Sequence, residues 1–180
     1  AMRMPPVTVS GARLEAITEA DFATVAGLGE TIWRSHYARL ISAAQIDYML
    51  AGRYTPDRLR EYLNADDRWM ELLKIAGKPV GYCSYARTPT PRAMKLEQLY
   101  LLQEYRGKGL GGLMLRHVES RALGLGLGVL MLQVNKRNAD SIAFYRKAGF
   151  TIREEAIFDI GNGFFMYDYV MEKNLRTGSA

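Results

Sequence analysis

The stretch EYRGKGLGGLML, residues 104–115, constrains this chain more than any other. An apolar strand pattern runs into glycines, and the glycines run into a helix with Leu110, Leu113, Met114 and Val118 on one face. Glycine permits the backbone conformations and close approaches that such a turn requires. The loop presents backbone N–H groups at a helix N-terminus, where the partial positive charge attracts anions. Arg106 and Lys108 add two cationic donors beside it. A nucleotide P-loop is excluded, because GxxxxGK[ST] is absent. Gly107, Gly109 and Gly112 match the dinucleotide fingerprint GxGxxG literally. That reading wants an acidic residue at the end of the next strand, and here the strand ends Gln133-Val134-Asn135. A tight turn that merely needs glycine is the plain alternative.

Around this loop the chain reads as alternating strands and helices. Residues 7–16 read as a strand, and 19–35 as a helix with Thr18 at its cap. Short helical pieces follow at 48–50 and 56–63, the second with Thr55 as cap and Pro56 in its first turn. Strands are predicted at 69–75 and 79–87 around Gly77-Lys78, and at 93–102 after a proline-containing loop. The helix 109–123 leads to a strand at 129–134, and Asn138 caps a helix through Lys147. Asn162-Gly163 turns the last two strands, 151–160 and 164–172. Helices inserted between strands of one sheet imply an α/β (mixed α+β) protein with a mixed sheet covered on both faces. No composition break marks a boundary, so residues 1–175 read as a single domain and 176–180, RTGSA, as a flexible polar tail.

The net charge of +5 is spread along the chain, which argues against a nucleic-acid surface and suits a small anionic ligand. No apolar run reaches the ~18 residues of a membrane span, and the single cysteine, Cys83, has no partner for an internal disulfide. The expectation is a cytoplasmic protein. Two histidines without a GxSxG elbow exclude a serine hydrolase, and no cluster of His and Cys suggests a metal. His117 is expected to be exposed.

Downstream, residues 134–150 read VNKRNADSIAFYRKAGF. Together with Arg106-Gly107-Lys108-Gly109-Leu110-Gly111, this resembles the GNAT (GCN5-related N-acetyltransferase) superfamily. The loop fits its Gln/Arg-x-x-Gly-x-Gly/Ala pattern. Asn138, Ser141, Ala143, Tyr145, Gly149 and Phe150 fit its second motif, about 30 residues on. Singly, Asn138 would be an N-cap and Tyr145 a half-buried aromatic. Their joint spacing carries the resemblance, which covers residues 78–173.

The resemblance implies a seven-stranded, centrally splayed sheet and an N-acetyltransferase using acetyl-CoA (coenzyme A). It implies backbone pairing of the cofactor's arm with Tyr100, Leu101 and Leu102, and pyrophosphate binding by Arg106, Gly107, Lys108, Gly109, Leu110 and Gly111. It places Asn138, Ser141, Tyr145 and Lys147 near the cofactor. Tyr145 would be the acid for the leaving thiolate, and the Leu101 N–H the oxyanion donor. Glu97, four residues before Leu101 and so expected on the same strand face, is the candidate base. An exposed glutamate paired with Lys95 is the equal alternative. Trp33, His36 and Tyr37 would line the acceptor site. The end segments IWRSHY and IFDIGNGFFMYDYVMEK are similar to bacterial polyamine acetyltransferases; Asp159 and Asp168 are candidates to attract a cationic amine, with one solvated loop acid and one structural acid as the favoured plain reading. A small-molecule amine is the implied partner, and a homodimer is common in the family. A protein or peptide acetyltransferase and a non-catalytic acyl-CoA sensor remain as alternatives.

Overall fold

The computed structural model describes residues 8–9 and 11–175. Strands β1 (Thr8–Val9) and β2 (Ala12–Ala16) precede three helices, α1 (Phe22–His36), α2 (Ala43–Arg53) and α3 (Pro56–Arg60). Then follow β3 (Arg68–Ile75), β4 (Lys78–Arg87), β5 (Ala93–Leu101), α4 (Leu110–Gly124), β6 (Val129–Asn135), α5 (Ala139–Lys147), β7 (Thr151–Gly161) and β8 (Phe164–Asn174). They form one mixed sheet in the order β1-β2-β3-β4-β5-β6-β8-β7. Only β5 and β6 run parallel, joined by the α4 crossover.

The predicted first strand is two strands here, because Gly11 turns the chain at φ +82°. The two-residue β1 therefore adds an eighth strand to the seven expected. Helix α2 is longer than its short apolar signal, and Ser42 caps it by accepting from the Gln45 N–H. The β3–β4 turn lies at Ala76-Gly77, both at positive φ, one residue before the predicted pair. Asn162 and Gly163 take the same conformation between β7 and β8, as a two-residue hairpin turn demands. The predicted tail, 176–180, and the start of the predicted first strand lie outside the described residues.

Alternation along the strands feeds two apolar layers. Leu73, Cys83, Tyr85, Met94 and Leu96 point to the face covered by α4 and α5. Met70, Leu72 and Tyr82 point to the face covered by α1, α2 and α3. Each fully buried Leu or Met contributes about 1.5–3 kcal/mol, so these layers hold both helix sets on the sheet.

One irregularity positions the site. Ser84 pairs with Gln98 and Tyr85 with Leu96, leaving Glu97 as an extra residue in β5. Such a bulge twists the strand and shifts its alternation by one. Before it, Met94 and Leu96 face α4; after it, Leu99 and Leu101 do. Pairing of β5 with β6 stops at Leu96 and Leu132, although β5 continues to Leu101 and β6 to Asn135. The expected central splay starts at this bulge.

Candidate active site

Beyond Leu96 the two strands diverge into a wedge with unpaired backbone edges. The wedge opens into a narrow cleft of about 70 Å³, whose lining includes Glu97, Tyr100, Arg106, Asn138, Ser141 and Tyr145. In an antiparallel ladder, successive residues turn their N–H and C=O groups to opposite sides. The Leu102 N–H donates to Val80 O at 2.9 Å, so Leu102, and Tyr100 by alternation, face β4. Of the three consecutive residues expected to offer backbone groups, Leu101 alone faces the wedge, and Leu99 joins it. Alternation, visible in the sequence, could have found Leu99.

The glycine loop closes one end of the wedge. Gly107 and Gly109 sit at φ +74° and +80°, and a Cβ on either would meet nothing within 4 Å. Their left-handed conformation, rather than crowding, explains glycine there. Gly109 leads into α4, whose first-turn N–H groups, on Leu110, Gly111 and Gly112, have no partner within the helix. Arg106 and Lys108 are exposed beside them. The loop is therefore a row of free donors at the positive end of a four-turn helix.

His36 links this loop to α5. Arg106 Nη2 donates to His36 Nδ1 at 2.9 Å, and His36 Nε2 lies 3.0 Å from the Asn138 amide. Arginine only donates, so Nδ1 accepts from it; the neutral ring then carries its proton on Nε2, which meets the Asn138 Nδ2 as a close contact between two donors, not a hydrogen bond. Burial, with Arg106 beside it, lowers the imidazole to about 4. His36 is thus a neutral side chain that ties α1 to the glycine loop through Arg106 and lies against Asn138 of the second motif. Asn138 also caps α5, its Oδ1 accepting from the Ser141 N–H at 3.2 Å.

Tyr145 presents its phenol to the cleft, its ring held edge-on by Phe144 and Phe150 at 5.2 and 5.5 Å. Its hydroxyl has no hydrogen-bond partner among the described residues. Burial, with Tyr100 nearby, raises it well above the usual phenol range, so it stays protonated at neutral pH. Lys147, the last residue of α5, is exposed and does not line the cleft.

Glu97 lines the cleft, but the bulge overturns the same-face argument. Leu101 packs toward α4, whereas Glu97 Oε1 accepts from Tyr62 Oη at 2.8 Å, on the α1–α3 side. Its expected alternative partner, Lys95, donates to Gln133 Oε1 at 3.3 Å instead.

That side of the cleft is aromatic and enclosed. Trp33 is buried at 2% exposure, and its Nε1 donates to Tyr54 Oη at 3.0 Å. Tyr37 and Tyr100 share a hydrogen bond of 2.9 Å between their hydroxyls. Helix α2 is fastened to the last hairpin: Tyr48 Oη donates to Ile160 O at 2.7 Å, and Gln45 Nε2 to Phe165 O at 3.1 Å. Two charged residues lie close to this wall without lining the cleft. Arg53 lies 4.8 Å over the Trp33 ring, and Asp168 is 5% exposed with a buried Oδ1 that has no hydrogen-bond partner among the described residues. Asp159, by contrast, caps its own turn, accepting from the Gly161 N–H at 2.9 Å. Arg53 escaped the sequence reading because its place in the long α2 was not visible.

Away from the cleft, His117 is buried at 7% exposure, not exposed as expected. Its Nε2 lies 2.6 Å from Glu71 Oε1, which also accepts from Tyr85 Oη at 2.7 Å. Position 117 follows 113 and 114 by four and three, so helical spacing puts it on the inner face despite its polarity. A wider depression of about 530 Å³, lined by Arg92, Leu123 and Val129 among others, lies at the opposite end of β5 and β6. Among the described residues no group of His, Cys, Asp and Glu could hold a metal ion, and no helix is long and apolar enough to cross a membrane.

Residues 33–150 match the model of the Acetyltransferase (GNAT) family. An uncharacterized N-acetyltransferase of Mycobacterium tuberculosis is 33% identical over 118 residues, covering 66% of this chain and 74% of that protein. The PaiA N-acetyltransferase of Thermoplasma acidophilum, solved with coenzyme A, has the same fold. Its TM-score is 0.76 at 22% identity, over 91% of this chain and 98% of that one. The spermidine N-acetyltransferase of Vibrio cholerae, solved with CoA and spermine, gives 0.69 at 16% identity, over 93% and 97%. With both motifs, the bulged strand and the splayed sheet in place, the chain belongs to the acetyltransferase (GNAT) family, whose members transfer an acetyl group from acetyl-CoA to nitrogen.

Proposed function

We propose that this N-acetyltransferase acts on the primary amine of a small molecule, by direct attack of the neutral amine on the thioester of acetyl-CoA. The observation that carries the small-molecule reading is the enclosure of the acceptor side, where α2 is bonded across to the β7–β8 hairpin. A protein or peptide acceptor needs an open groove at that place.

The residues fit acetyl-CoA. The free N–H groups of the glycine loop, with Arg106 and Lys108, suit a pyrophosphate. The wedge edge at Leu99 and Leu101 suits an arm that carries amide groups, with Asn138 and Ser141 across from it. Bound acetyl-CoA supplies an activated acetyl thioester.

A protonated amine does not attack, and its ordinary pKa lies near ~10, so a base must hold the proton that leaves. Glu97 takes that role from the bulge, with Tyr62 fixing one carboxylate oxygen and the other free. The Leu101 N–H, turned into the wedge, donates to the carbonyl oxygen as it gains charge. Tyr145 gives its proton to the departing sulfur. Its raised phenol keeps that proton in place until the thiolate forms. A sensor that only bound acyl-CoA would need neither group.

A polyamine, the acceptor suggested by the end segments and by the name of the Vibrio enzyme, is one member of this acceptor class. The class is tested with a bisubstrate analogue that joins CoA through an acetyl bridge to a small amine. It is expected to compete with acetyl-CoA at least ~100-fold better than CoA alone. Equal competition by the two, or a clear advantage for a peptide-bearing analogue, overturns the reading.

A further inference from the structure

Next to the aromatic side of the cleft stand two charged residues, Arg53 and Asp168, with unused hydrogen-bonding atoms among the described residues. Arg53, at the end of α2, is half-buried and forms no ion pair or hydrogen bond with any described residue. Its guanidinium carbon lies 4.8 Å from the centre of the Trp33 ring, and the phenols of Tyr37, Tyr54, Tyr82 and Tyr100 lie near it. A guanidinium stays a cation at neutral pH even when half-buried. Asp168, on β8 opposite Asn135, is buried with an orphaned Oδ1. Both charges act on Tyr100, which lines the cleft.

The fork donors of Arg53 and the buried Asp168 Oδ1 find no hydrogen-bond partner among the described residues, and a bound molecule carrying the opposite charges satisfies both. A planar fork of donors beside phenols matches a carboxylate. A polycation would bring like charge to Arg53. The geometry points to an acceptor that carries a carboxylate besides its reacting amine, an amino-acid-type molecule, with the carboxylate on Arg53 and the amine end toward Asp168. The inference rests on the transfer reading above and narrows its acceptor class. The cation that lines the cleft itself, Arg106, is tied to His36 and the glycine loop.

The test uses matched acceptor pairs that differ only in the carboxylate: lysine with cadaverine, phenylalanine with phenethylamine, methionine with 3-(methylthio)propylamine. Each is measured for turnover with acetyl-CoA and for binding to the CoA-loaded protein. The carboxylated member of at least one pair is expected to win by roughly 10–100-fold in kcat/KM, mainly through KM, the range of a charge-assisted hydrogen-bond pair. In Arg53→Met that ratio falls toward one, and in Arg53→Lys it falls part of the way. Where Arg53→Met does not fold, Arg53→Lys carries the comparison. Turnover with no preference in any pair, or a preference that survives in both variants, overturns the inference and leaves transfer intact. Binding that discriminates without turnover supports the inference and removes the transfer reading. Neither binding nor turnover overturns both.

Discussion

Replacing Tyr145 by phenylalanine separates chemistry from structure. The ring keeps its edge contacts with Phe144 and Phe150, at 5.2 and 5.5 Å. The lost hydroxyl has no described hydrogen-bond partner, so no buried group is orphaned by its removal. Stability should therefore change by less than about 1 kcal/mol. The chemical step loses its proton donor, a contribution of about 10²–10⁴ in rate, or roughly 3–5 kcal/mol. The assay is thiol release from acetyl-CoA at saturating acceptor, with a thermal melt on the same preparation. The expected result is kcat lower by at least ~100-fold, with KM for acetyl-CoA and the melt close to wild type. A kcat within threefold of wild type would refute the assignment, because a phenol with no structural task would then have no chemical one either.

Gly109 at φ +80° is open to solvent, so Gly109→Ala adds strain without a clash. The strain costs about 1–2 kcal/mol, to be read as a lower melting temperature and weaker CoA binding by calorimetry. His36→Phe removes the acceptor that holds Arg106, and should raise KM for acetyl-CoA about tenfold while kcat changes little. Truncating His117 to Ala leaves Glu71 buried beside Tyr85 alone, and urea titration should show a loss of about 3–5 kcal/mol. Burial pushes the Asp168 carboxyl from 3.8 up to about 6, against a counter-pull from Lys95. The folded state then holds its proton more tightly than the unfolded state, so stability falls as pH rises from about 4 to about 6 and stays lower above. Asp168→Asn should remove that slope and stabilise the protein by about 2–3 kcal/mol at pH 8, while acetyl transfer weakens; an unchanged pH profile of stability would contradict it.

The two motifs were legible because they are local. Arg106 to Gly111 and Asn138 to Phe150 each fix a turn, a cap and a helix within a few residues, and the structure brings them to one cleft through α4 and α5. The bulge was not legible. Nothing in Leu96-Glu97-Gln98 announces an extra residue, and only the pairing of Ser84 and Tyr85 with β5 reveals it. Counting by two from Leu101 therefore put Glu97 on the wrong face. The acceptor wall was hidden for a related reason. Gln45, Tyr48 and Arg53 lie on one helix whose apolar signal is weak; Gln45 and Tyr48 meet partners more than a hundred residues on in the hairpin, and Arg53 sits over Trp33 of α1. His117 was misjudged from its polarity, although its spacing from Leu113 and Met114 already placed it inward. Local chemistry is written in neighbouring residues, while alternation through a bulge and a wall built from distant elements depend on tertiary pairing.

The most direct test of the account is steady-state thiol release with acetyl-CoA against small amines, amino acids and short peptides, with the acetylated product identified by mass. Turnover on a small amine or amino acid, and not on peptides, is the predicted result. Tight CoA binding without product from any acceptor, or turnover confined to peptides, would contradict it.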